Sequence, residues 1–406
     1  MTSRSHSVGL QNPSELEALL GAEAQLMNVA LRPSRIMMRG SGSYLWDHTG
    51  ARYLDFLQGW AVNALGHAPP EIAEALQAQA QTLINVSPAL HNAPQLRLAS
   101  ALAHRAGLEE VHFANSGAEA NEAALKLARK WGRLNRNGAF EIITTEGSFH
   151  GRTLALMAAS GKPGWDALFP PSMPGFVKVP YGDALAVKAR IGANTVAVMV
   201  EPIQGEAGVV VPPEGYLREL RRSCDEHGLL LICDEVQTGM GRTGTLFASE
   251  REGVKPDIMT LGKGLGGGVP ISAVLANARA TCFAPGDQGG TYNGNPLMVA
   301  VAQRVFDIVS SEAFLSRVLQ TARYLEERLS AMCQKHGFTL RGRGLLWAVV
   351  LPSERAESVV RACFLAGLVI NAPRPNVLRL MPSLRVTERE IDEFITLLEW
   401  ALPSAK

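Results

Sequence analysis

The sequence has few cysteines, and they lie far apart. Among 406 residues there are five, Cys224, Cys233, Cys282, Cys333 and Cys363, and none forms a Cys-x-x-Cys pair. Zinc and dithiol sites need closely spaced thiols, so both kinds of site are disfavoured and we predict no metal. An odd number of cysteines in a chain of this length is typical of reduced thiols, which favours a cytoplasmic location.

An excess of charge of one sign and a long apolar run are also missing. The 39 Lys and Arg residues against 38 Asp and Glu residues leave a formal net charge of +1. This balance gives no electrostatic reason to expect nucleic acid or a membrane surface as a partner. No apolar run is long enough to span a bilayer, and Met1 to Pro13 lacks the basic-then-apolar pattern of a signal peptide. We therefore expect a cytoplasmic protein.

The middle of the chain contains short apolar runs that alternate with helical patterns. A chain that is 47% hydrophobic over 406 residues has ample core for about two domains. We predict a helix over Ala118–Trp131. Strands are predicted at Val111–Ala114, Phe140–Thr145, Phe176–Val179, Thr195–Val200, Leu229–Cys233, Ile258–Leu261 and Ser272–Ala276. Continuous apolar strands between helices indicate a parallel sheet that is covered on both faces.

The two chain ends have a different pattern. Gly40–Phe56 is typical of a hairpin around the turn His48–Gly50, and the pattern is helical from Pro296 to about Arg328. Further strands are predicted at Leu345–Leu351, Leu368–Asn371 and Val377–Met381, and a final helix at Glu388–Leu402. The fold class is therefore α/β, with a large central domain of mostly parallel sheet (63–305) and a smaller α+β domain built from both ends (1–62 and 306–406).

An acid and an amine are presented in unusual surroundings. Asp234 ends the apolar run Leu229–Cys233, and Lys263 is followed and preceded by glycines, at 262, 264 and 266–268. A carboxylate at a buried strand end needs a partner, and glycines allow another group to approach closely. Asp234 could instead cap a turn, and Lys263 could be a solvated surface charge. Together they suit pyridoxal phosphate, since the amine forms a Schiff base with its aldehyde and the carboxylate keeps its ring nitrogen protonated.

Three further segments follow predicted strands. Ser116 and Glu119 match a capping box, which leaves the first N–H groups of a helix open to an anion. Phe149 is an aromatic residue that can lie flat on a planar cofactor, and Arg152 can bind a carboxylate in bidentate fashion. Glu206, between two glycines, can reach into a cleft. Taken alone, the first segment is better explained as an ordinary capped helix, the second fits a surface loop equally well, and the third is more often a turn.

Two strings, Gly239-x-Gly241-x-x-Gly244 and Gly262-x-Gly264-x-x-Gly267, match the dinucleotide fingerprint. That fingerprint requires a strand, a tight turn and a helix, and then an acid that closes a second strand. The first string begins only after Asp234–Thr238, and the second has its acid, Asp287, in a Pro-Gly loop. A nicotinamide-dependent dehydrogenase is therefore disfavoured.

Taken in order, the motifs resemble those of the class III, fold-type-I, pyridoxal-phosphate-dependent aminotransferases. The resemblance rests on Ser-Gly-Ala-Glu-Ala, Phe-His-Gly-Arg-Thr, Glu-Pro-Ile-Gln-Gly-Glu, Asp-Glu-Val-Gln-Thr-Gly, Gly-Lys-Gly and Gly-Thr-Tyr-x-Gly-Asn-Pro. It extends from about Gly40 to the C-terminus and is closest to the acetylornithine and ornithine aminotransferases.

The resemblance implies a pyridoxal 5'-phosphate cofactor and a role for each matching residue. Lys263 would carry the cofactor and move the proton, and Asp234 would hold the pyridinium. Gln237 would bond the ring hydroxyl, and Phe149 with Val236 would enclose the ring. Ser116, Gly117 and Ala118 would bind the phosphate. Thr291 would reach the phosphate of the neighbouring subunit, which implies a homodimer.

The resemblance also implies a substrate site for amino acids and 2-oxo acids. Arg152 would bind one carboxylate, and Arg379 a second one when glutamate is bound. Glu206 would pair with Arg379 when no second carboxylate is present, since a buried unpaired arginine is costly. The expected reaction moves the terminal amino group of N-acetylornithine, or of a similar ω-amino acid, to 2-oxoglutarate, giving glutamate and a semialdehyde.

Alternatives remain open at this point. Ornithine or 4-aminobutyrate would use the same residues, a mutase or decarboxylase would keep Lys263, and a non-catalytic relative would keep only the fold. Three positions depart from the family's usual pattern: Ala30, Trp60 and Pro88. We expect all three near the entrance for the substrate, so the amino donor and the metabolic direction, arginine biosynthesis or breakdown, are less determined than the cofactor.

Overall fold

A computed structural model describes residues 13–404 of the chain. The first 12 residues of the predicted segment 1–62, and the last two of the predicted segment 306–406, lie outside the described residues.

The described residues form both helices and strands. The helices are α1 Pro13–Gly21, α2 Gln58–Ala61, α3 Pro70–Ala80, α4 Ala93–Ala106, α5 Gly117–Asn135, α6 Leu154–Ala159, α7 Trp165–Leu168, α8 Ala184–Ala189, α9 Tyr216–His227, α10 Pro296–Val309, α11 Glu312–His336, α12 Ala356–Leu365 and α13 Glu388–Ser404. The strands are β1 Met37–Ser41, β2 Tyr44–Asp47, β3 Arg52–Asp55, β4 Glu110–Ala114, β5 Glu141–Thr145, β6 Phe176–Val179, β7 Thr195–Val200, β8 Leu230–Asp234, β9 Ile258–Leu261, β10 Ser272–Ala276, β11 Thr339–Arg343, β12 Leu346–Val350, β13 Leu368–Val369, β14 Asn371–Arg374 and β15 Val377–Leu380. Short 3₁₀ helices occur at Ala22–Gln25, Ala248–Glu252 and Lys263–Leu265.

The seven strands predicted for the middle of the chain form one sheet, in the order β4-β10-β9-β8-β7-β5-β6. Strands β6, β5, β7, β8 and β9 run parallel, as the sequence predicts. The exception is β10, which is antiparallel to both β9 and β4. No helical crossover separates β9 from β10, so the chain turns back at the edge where β9 ends. The predicted fold, a large and mostly parallel sheet of fold-type-I character, is confirmed.

Strand β7 shows why this sheet is covered on both faces. All six of its residues are buried. Met199 packs in the cluster formed with α5, whereas Val198 and Val200 pack in the cluster formed with α9. Because side chains alternate along a strand, a run without polar residues needs apolar partners on each face. With both faces covered, polar groups can be presented only beyond the strand ends, and in parallel sheets the loops after the carboxyl ends usually carry them.

Two four-stranded sheets lie outside the large sheet, in the orders β1-β2-β3-β13 and β11-β12-β15-β14. The predicted hairpin is present as β2 and β3, and β3 pairs in parallel with β13 from the other end of the chain. The domain boundaries after residues 62 and 305 stay a prediction, and the second of them falls within α10.

Two predictions for the C-terminal part were wrong in detail, and one strand was not predicted. The predicted helix from Pro296 to Arg328 is two helices, α10 and α11, because Ser311 accepts a hydrogen bond from Phe314 N and caps a new helix. Strand β11 was not predicted, since its Thr339–Arg343 sequence contains two arginines and a glycine. The predicted strand Leu368–Asn371 is divided between β13 and β14. Over residues 13–404, no helix has the length and apolarity needed to cross a bilayer.

Candidate active site

The segments singled out in the sequence meet at the carboxyl edge of the large sheet. A cavity of about 300 Å³ opens there, between the loops that follow β5, β7, β8 and β9 and the start of α5. Nine of the twelve predicted site residues line it: Gly117, Ala118, Phe149, Arg152, Glu206, Asp234, Val236, Gln237 and Lys263. The parallel strands explain this convergence, because their carboxyl ends share one edge.

The other three predicted residues do not line the cavity. Ser116 lies next to it as the N-cap of α5, and its side chain accepts a hydrogen bond from Glu119 N at 3.2 Å. The buried Arg379 lies behind Glu206, to which it is bonded. Thr291 lies in an exposed turn. Ala30, Trp60 and Pro88 do not line the cavity either, and their place near the substrate entrance stays a prediction.

Asp234 is the centre of a buried hydrogen-bond network. Its Oδ2 accepts from Asn121 Nδ2 and from His150 Nδ1, each at 2.8 Å. Since a carboxylate only accepts, His150 carries a proton on Nδ1. Asn121 is itself held by Thr260 Oγ1, which donates to Asn121 Oδ1 at 2.7 Å. These contacts fix the orientation of the Asp234 carboxylate before any ligand binds.

One oxygen of Asp234 keeps a free acceptor position. Its Oδ1 accepts from Val236 N at 3.1 Å, so the turn-capping role considered for this residue is real. Thr260 Oγ1 lies 3.4 Å from the same oxygen but has a single proton, which goes to Asn121. A carboxylate oxygen accepts two hydrogen bonds. Oδ1 therefore has one lone pair left for a donor in the cavity, as a protonated pyridine nitrogen would be.

Lys263 stands in a strained backbone conformation at the start of a 3₁₀ turn. Its φ is +41°, a left-handed value that few non-glycine residues adopt. Burial lowers the pKa of its amine below the usual range, and the carboxylate of Glu206 opposes part of that shift. The amine is therefore neutral over a wider pH range than that of a surface lysine, which is what a nucleophile or base requires.

The first turn of α5 provides an anion site. Gly117 and Ala118 line the cavity at the point where helix N–H groups have no internal acceptor. A Cβ at Gly117 would lie 2.7 Å from Val236 Cγ1, so only glycine allows this approach. The predicted capping box of Ser116 and Glu119 is present. The end of the cavity next to α5 therefore suits a phosphate group.

Gln237 is buried, and neither its Nε2 nor its Oε1 has a partner among the described residues. A Cβ at Gly205 would collide with Gln237 Oε1, so glycine at 205 is needed for the amide to reach the cavity. An orphaned buried amide is costly unless a ligand satisfies it. Gln237, Asp234 and the α5 terminus together fit a pyridine ring that carries a hydroxyl and a phosphate, as in pyridoxal phosphate.

Glu206 and Arg379 form an ion pair with a spare donor. Arg379 Nη1 donates to Glu206 Oε1 at 2.6 Å, and its Nε donates to Asn371 Oδ1 at 3.2 Å. Its Nη2 is buried and has no partner among the described residues. Burial raises the pKa of Glu206, but the charge and hydrogen bond of Arg379 together with the charges of Lys263 and Lys162 outweigh it, so the net shift is downward and the carboxylate stays charged. The arginine is fully buried while the Glu206 side chain is 27% exposed.

The network contains residues to which the sequence assigned no role. Asn121 lies one helical turn after Ala118, and this i, i+3 spacing could have placed it on the same face. His150 and Glu201 stand inside recognised motifs but received no role. Glu201 Oε2 accepts from Phe149 N at 3.1 Å, and burial, together with the Asp234 charge, raises the pKa of Glu201 well above its usual range.

Known proteins resemble this chain over nearly its whole length. The family profile "Aminotransferase class-III" matches residues 27–402. Acetylornithine aminotransferase 2 of Bordetella bronchiseptica is 52% identical over 94% of this chain and 97% of its own. Acetylornithine aminotransferase of Ralstonia nicotianae is 51% identical over 93% of this chain and 96% of its own.

Solved structures show the same fold. The ornithine aminotransferase from Toxoplasma gondii ME49 matches with a TM-score of 0.89 and 33% identity, over 96% of this chain and 95% of that one. The N-acetylornithine aminotransferase from Stenotrophomonas maltophilia K279a matches with a TM-score of 0.81 and 34% identity, over 94% of this chain and 98% of that one.

Proposed function

This chain belongs to the class III aminotransferases, which depend on pyridoxal phosphate, and we propose on that premise that it transfers the terminal amino group of N-acetylornithine, or of a similar ω-amino acid, to 2-oxoglutarate. The products would be glutamate and a semialdehyde. Relatives that carry the name acetylornithine aminotransferase at 51% and 52% identity support this substrate.

Different residues of the cavity would bind different parts of the cofactor. Bound pyridoxal phosphate supplies an electron sink for the carbon that bears the amine. Asp234 Oδ1 would accept from the ring nitrogen, Gln237 would bond the ring hydroxyl, and Phe149 and Val236 would enclose the ring. Ser116, Gly117 and Ala118 would present backbone N–H groups to the phosphate.

Lys263 would act as the general base. Its Nζ would remove a proton from the amine-bearing carbon of the amino donor, and the lowered pKa of the amine favours the neutral form that can do so. The glycines at 262, 264 and 266–268 place no side chain beside Lys263, so another group can approach its amine closely.

The Glu206–Arg379 pair is the observation that best supports a reaction with two unlike substrates. N-acetylornithine has one carboxylate, which Arg152 would bind, and glutamate has two. When N-acetylornithine occupies the cavity, Glu206 neutralises Arg379 through the 2.6 Å bond. When glutamate enters, its second carboxylate can use Arg379 Nη2, which has no partner, and Glu206 can turn toward solvent. One cavity can then serve both ligands without leaving a buried cation unpaired.

Half-reaction spectra test the proposal. The purified enzyme is mixed separately with N-acetylornithine, ornithine, 4-aminobutyrate and lysine, and conversion of the bound cofactor to its amine form is followed by absorbance. We expect N-acetylornithine to react fastest. If ornithine or 4-aminobutyrate is faster, that compound is the donor, and if only glutamate reacts the proposal is wrong. A mutase or a decarboxylase would need no 2-oxoglutarate to complete its turnover.

The variant Glu206→Ala tests the switch itself. Without Glu206, Arg379 is unpaired whenever N-acetylornithine is bound, so the ratio of glutamate activity to N-acetylornithine activity should rise about tenfold. An unchanged ratio would rule out the switch.

We also propose a homodimer in which Thr291 contacts the phosphate bound by the neighbouring subunit. The exposed position of Thr291, outside the cavity of its own chain, is consistent with this role. Sedimentation equilibrium would measure the assembly, and Thr291→Ala should weaken phosphate-dependent cofactor retention in a dimer of unchanged size. The proposed location is the cytoplasm and the proposed pathway is arginine biosynthesis. Cell fractionation and growth of a deletion strain without arginine would test these two points.

A further inference from the structure

Trp165 lies beside the active site and contacts two residues that were given separate roles there. Its ring meets that of Phe149 edge to face, with centroids 5.5 Å apart and an interplanar angle of 66°. The Arg152 guanidinium carbon lies 5.3 Å from the Trp165 ring centroid. Phe149 is the residue that would cover the cofactor ring, and Arg152 is the one that would bind the substrate carboxylate. Trp165 is therefore the common neighbour of both.

A second cation is held by the same ring. Lys162 Nζ lies 4.9 Å from the Trp165 ring centroid. Burial lowers the pKa of Lys162, Glu206 raises it, and the positive charge of Arg152 lowers it. Lys162 is thus close enough to Glu206 and Arg152 for their charges to shift its pKa. The Lys162 carbonyl accepts a hydrogen bond from Trp165 N at 3.3 Å, but within the part of the chain that the structure describes neither the Lys162 nor the Arg152 side chain makes a hydrogen bond or an ion pair.

The backbone explains why Trp165 stays in place. The segment after α6 returns to the loop that precedes it, since Gly147 N donates to Gly161 O at 3.0 Å and Gly161 N donates to Ser148 O at 3.1 Å. Trp165 follows at the start of α7 and is only 7% exposed. A ring fixed in this way can orient flexible side chains that lie over it, because a cation is attracted to an aromatic face.

We propose that Trp165 is a positioning residue that sets the orientation of Phe149 and Arg152 together, and that Lys162 is the second cation of the carboxylate receptor. Two cations without internal partners next to one aromatic ring form a receptor for an anion. Lys162 would add a point charge to the bidentate bonds of Arg152. This inference rests on the proposed function, because it assumes that the ligand bears a carboxylate and that Phe149 covers the cofactor.

The test compares Trp165→Leu with Trp165→Phe and with a matched control. Trp131→Leu is suitable, because Trp131 is 6% exposed and has Arg279 at 5.1 Å over its ring. Trp131 lies 10 residues after Asn121, the last residue of α5 that lines the cavity, which is about 15 Å along the helix. Both Leu variants remove a buried indole and a cation–π contact, so a general loss of stability affects both.

Two quantities should respond in Trp165→Leu and not in Trp131→Leu. The KM for glutamate should rise about tenfold, equivalent to about 1.4 kcal/mol, because Arg152 and Lys162 lose their platform. The dissociation constant of pyridoxal phosphate, measured by fluorescence titration of the apoenzyme, should rise about threefold because Phe149 loses its edge contact. Trp165→Phe retains an aromatic face, so both the KM for glutamate and the dissociation constant of pyridoxal phosphate should stay close to their wild-type values. If Trp165→Leu matches Trp131→Leu in both quantities, the inference is wrong.

Background variants show whether Trp165 acts through its neighbours. In an Arg152→Gln background, Trp165→Leu should raise KM no more than about threefold, since Arg152 is gone and only the contribution of Lys162 remains. A tenfold rise that persists there would overturn the positioning role. Lys162→Gln should raise the KM for glutamate about threefold and leave cofactor binding unchanged, and an unchanged KM would remove Lys162 from the receptor. Wild-type enzyme that reacts with neither glutamate nor N-acetylornithine would instead disprove the proposed function.

Discussion

The two ends of the active site differ in how many bonds hold their central charged group. Asp234 is bonded to side chains on α5 and the loop after β5, and β9 supports one of these through Thr260, all of them buried. Arg379 is held by one ion pair and one amide, and its Nη2 has no partner among the described residues. A group held from several sides keeps one geometry, whereas a group held by one ion pair can exchange partners at little cost.

This difference corresponds to what each end has to bind. The ring nitrogen, hydroxyl and phosphate of the cofactor are the same throughout the reaction, so their partners can be fixed in advance. The substrates differ in charge and length, so the residues that meet them must accept more than one arrangement. Four variants test the contrast, and they are ordered here by the size of the expected effect.

Asp234→Asn should have the largest effect. The variant removes the charge that a protonated ring nitrogen needs and disturbs the bonds to Asn121 and His150. Since removing one partner of a buried charge pair is costly, kcat should fall roughly 10² to 10³-fold. The control is Asp257→Asn, which changes another buried carboxylate, paired with Arg221 at 2.7 Å and lying outside the cavity. Equal losses of kcat in the two variants would contradict a specific role for Asp234.

Arg379→Gln should affect binding more than turnover. The loss of a charge-assisted partner for the second carboxylate should raise the KM for glutamate about 30-fold to 100-fold. The KM for N-acetylornithine should change less than about fivefold, because Arg152 meets its single carboxylate. Arg385→Gln, which breaks a 2.6 Å pair with Glu71 outside the cavity, is the control. A similar rise in KM for both substrates in Arg379→Gln would show that Arg379 does not discriminate between them.

Asn121→Ala removes one of the residues that hold Asp234. Asp234 Oδ2 would lose one donor and Thr260 its acceptor, at about 1 kcal/mol for each bond. Part of this loss should appear in cofactor binding, so the dissociation constant of pyridoxal phosphate should rise about tenfold, as measured by equilibrium dialysis of the apoenzyme. Asn92→Ala removes a buried asparagine that caps α4, and it should lower Tm without changing cofactor affinity. Normal cofactor affinity in Asn121→Ala would mean that Asp234 is held adequately without it.

Glu206→Gln should show the smallest effect, and one that depends on pH. The pKa of Glu206 in the folded protein lies below its ordinary value of 4.5. Its ionised form therefore stabilises the fold above the ordinary pKa, and that contribution is lost as pH falls through the lowered value. At neutral pH we expect the free energy of unfolding of the wild-type apoenzyme to exceed that of the variant by about 1 kcal/mol. The difference in Tm between wild type and variant should disappear in acid. A difference that stays constant down to about pH 3 would show that ionised Glu206 does not stabilise the fold.

The residues at strand ends were predictable because of one regular property of the fold. Asp234 and Phe149 follow apolar strands that are parallel, so their positions along the chain imply that they share an edge. Lys263 could be singled out because glycines replace bulk around it. In each case the residue is recognised from its neighbours in the sequence, and the parallel sheet then brings these residues close together.

Other features could not be predicted for reasons that are equally physical. Trp165 reaches the site only because the chain after α6 folds back on Ser148, and no periodic pattern marks such a return. His150 stands in a recognised motif, yet its bond to Asp234 spans 84 residues of sequence. The reversal of β10 was missed because a buried apolar strand has the same composition in either direction. The split of α10 from α11 depends on Ser311, whose capping role competes with an otherwise continuous helical pattern.

That reversal of β10 has a consequence for motion during turnover. Strands β9 and β10 form a hairpin, with Leu261 opposite Ala273, so the connection that carries Lys263 has both of its anchors on the same edge of the large sheet. The connections that lead into crossover helices have only one anchor on that edge. We therefore expect the amine of Lys263 to move less than the segments of Glu206 and Arg152 when a long amino acid is exchanged for a shorter one.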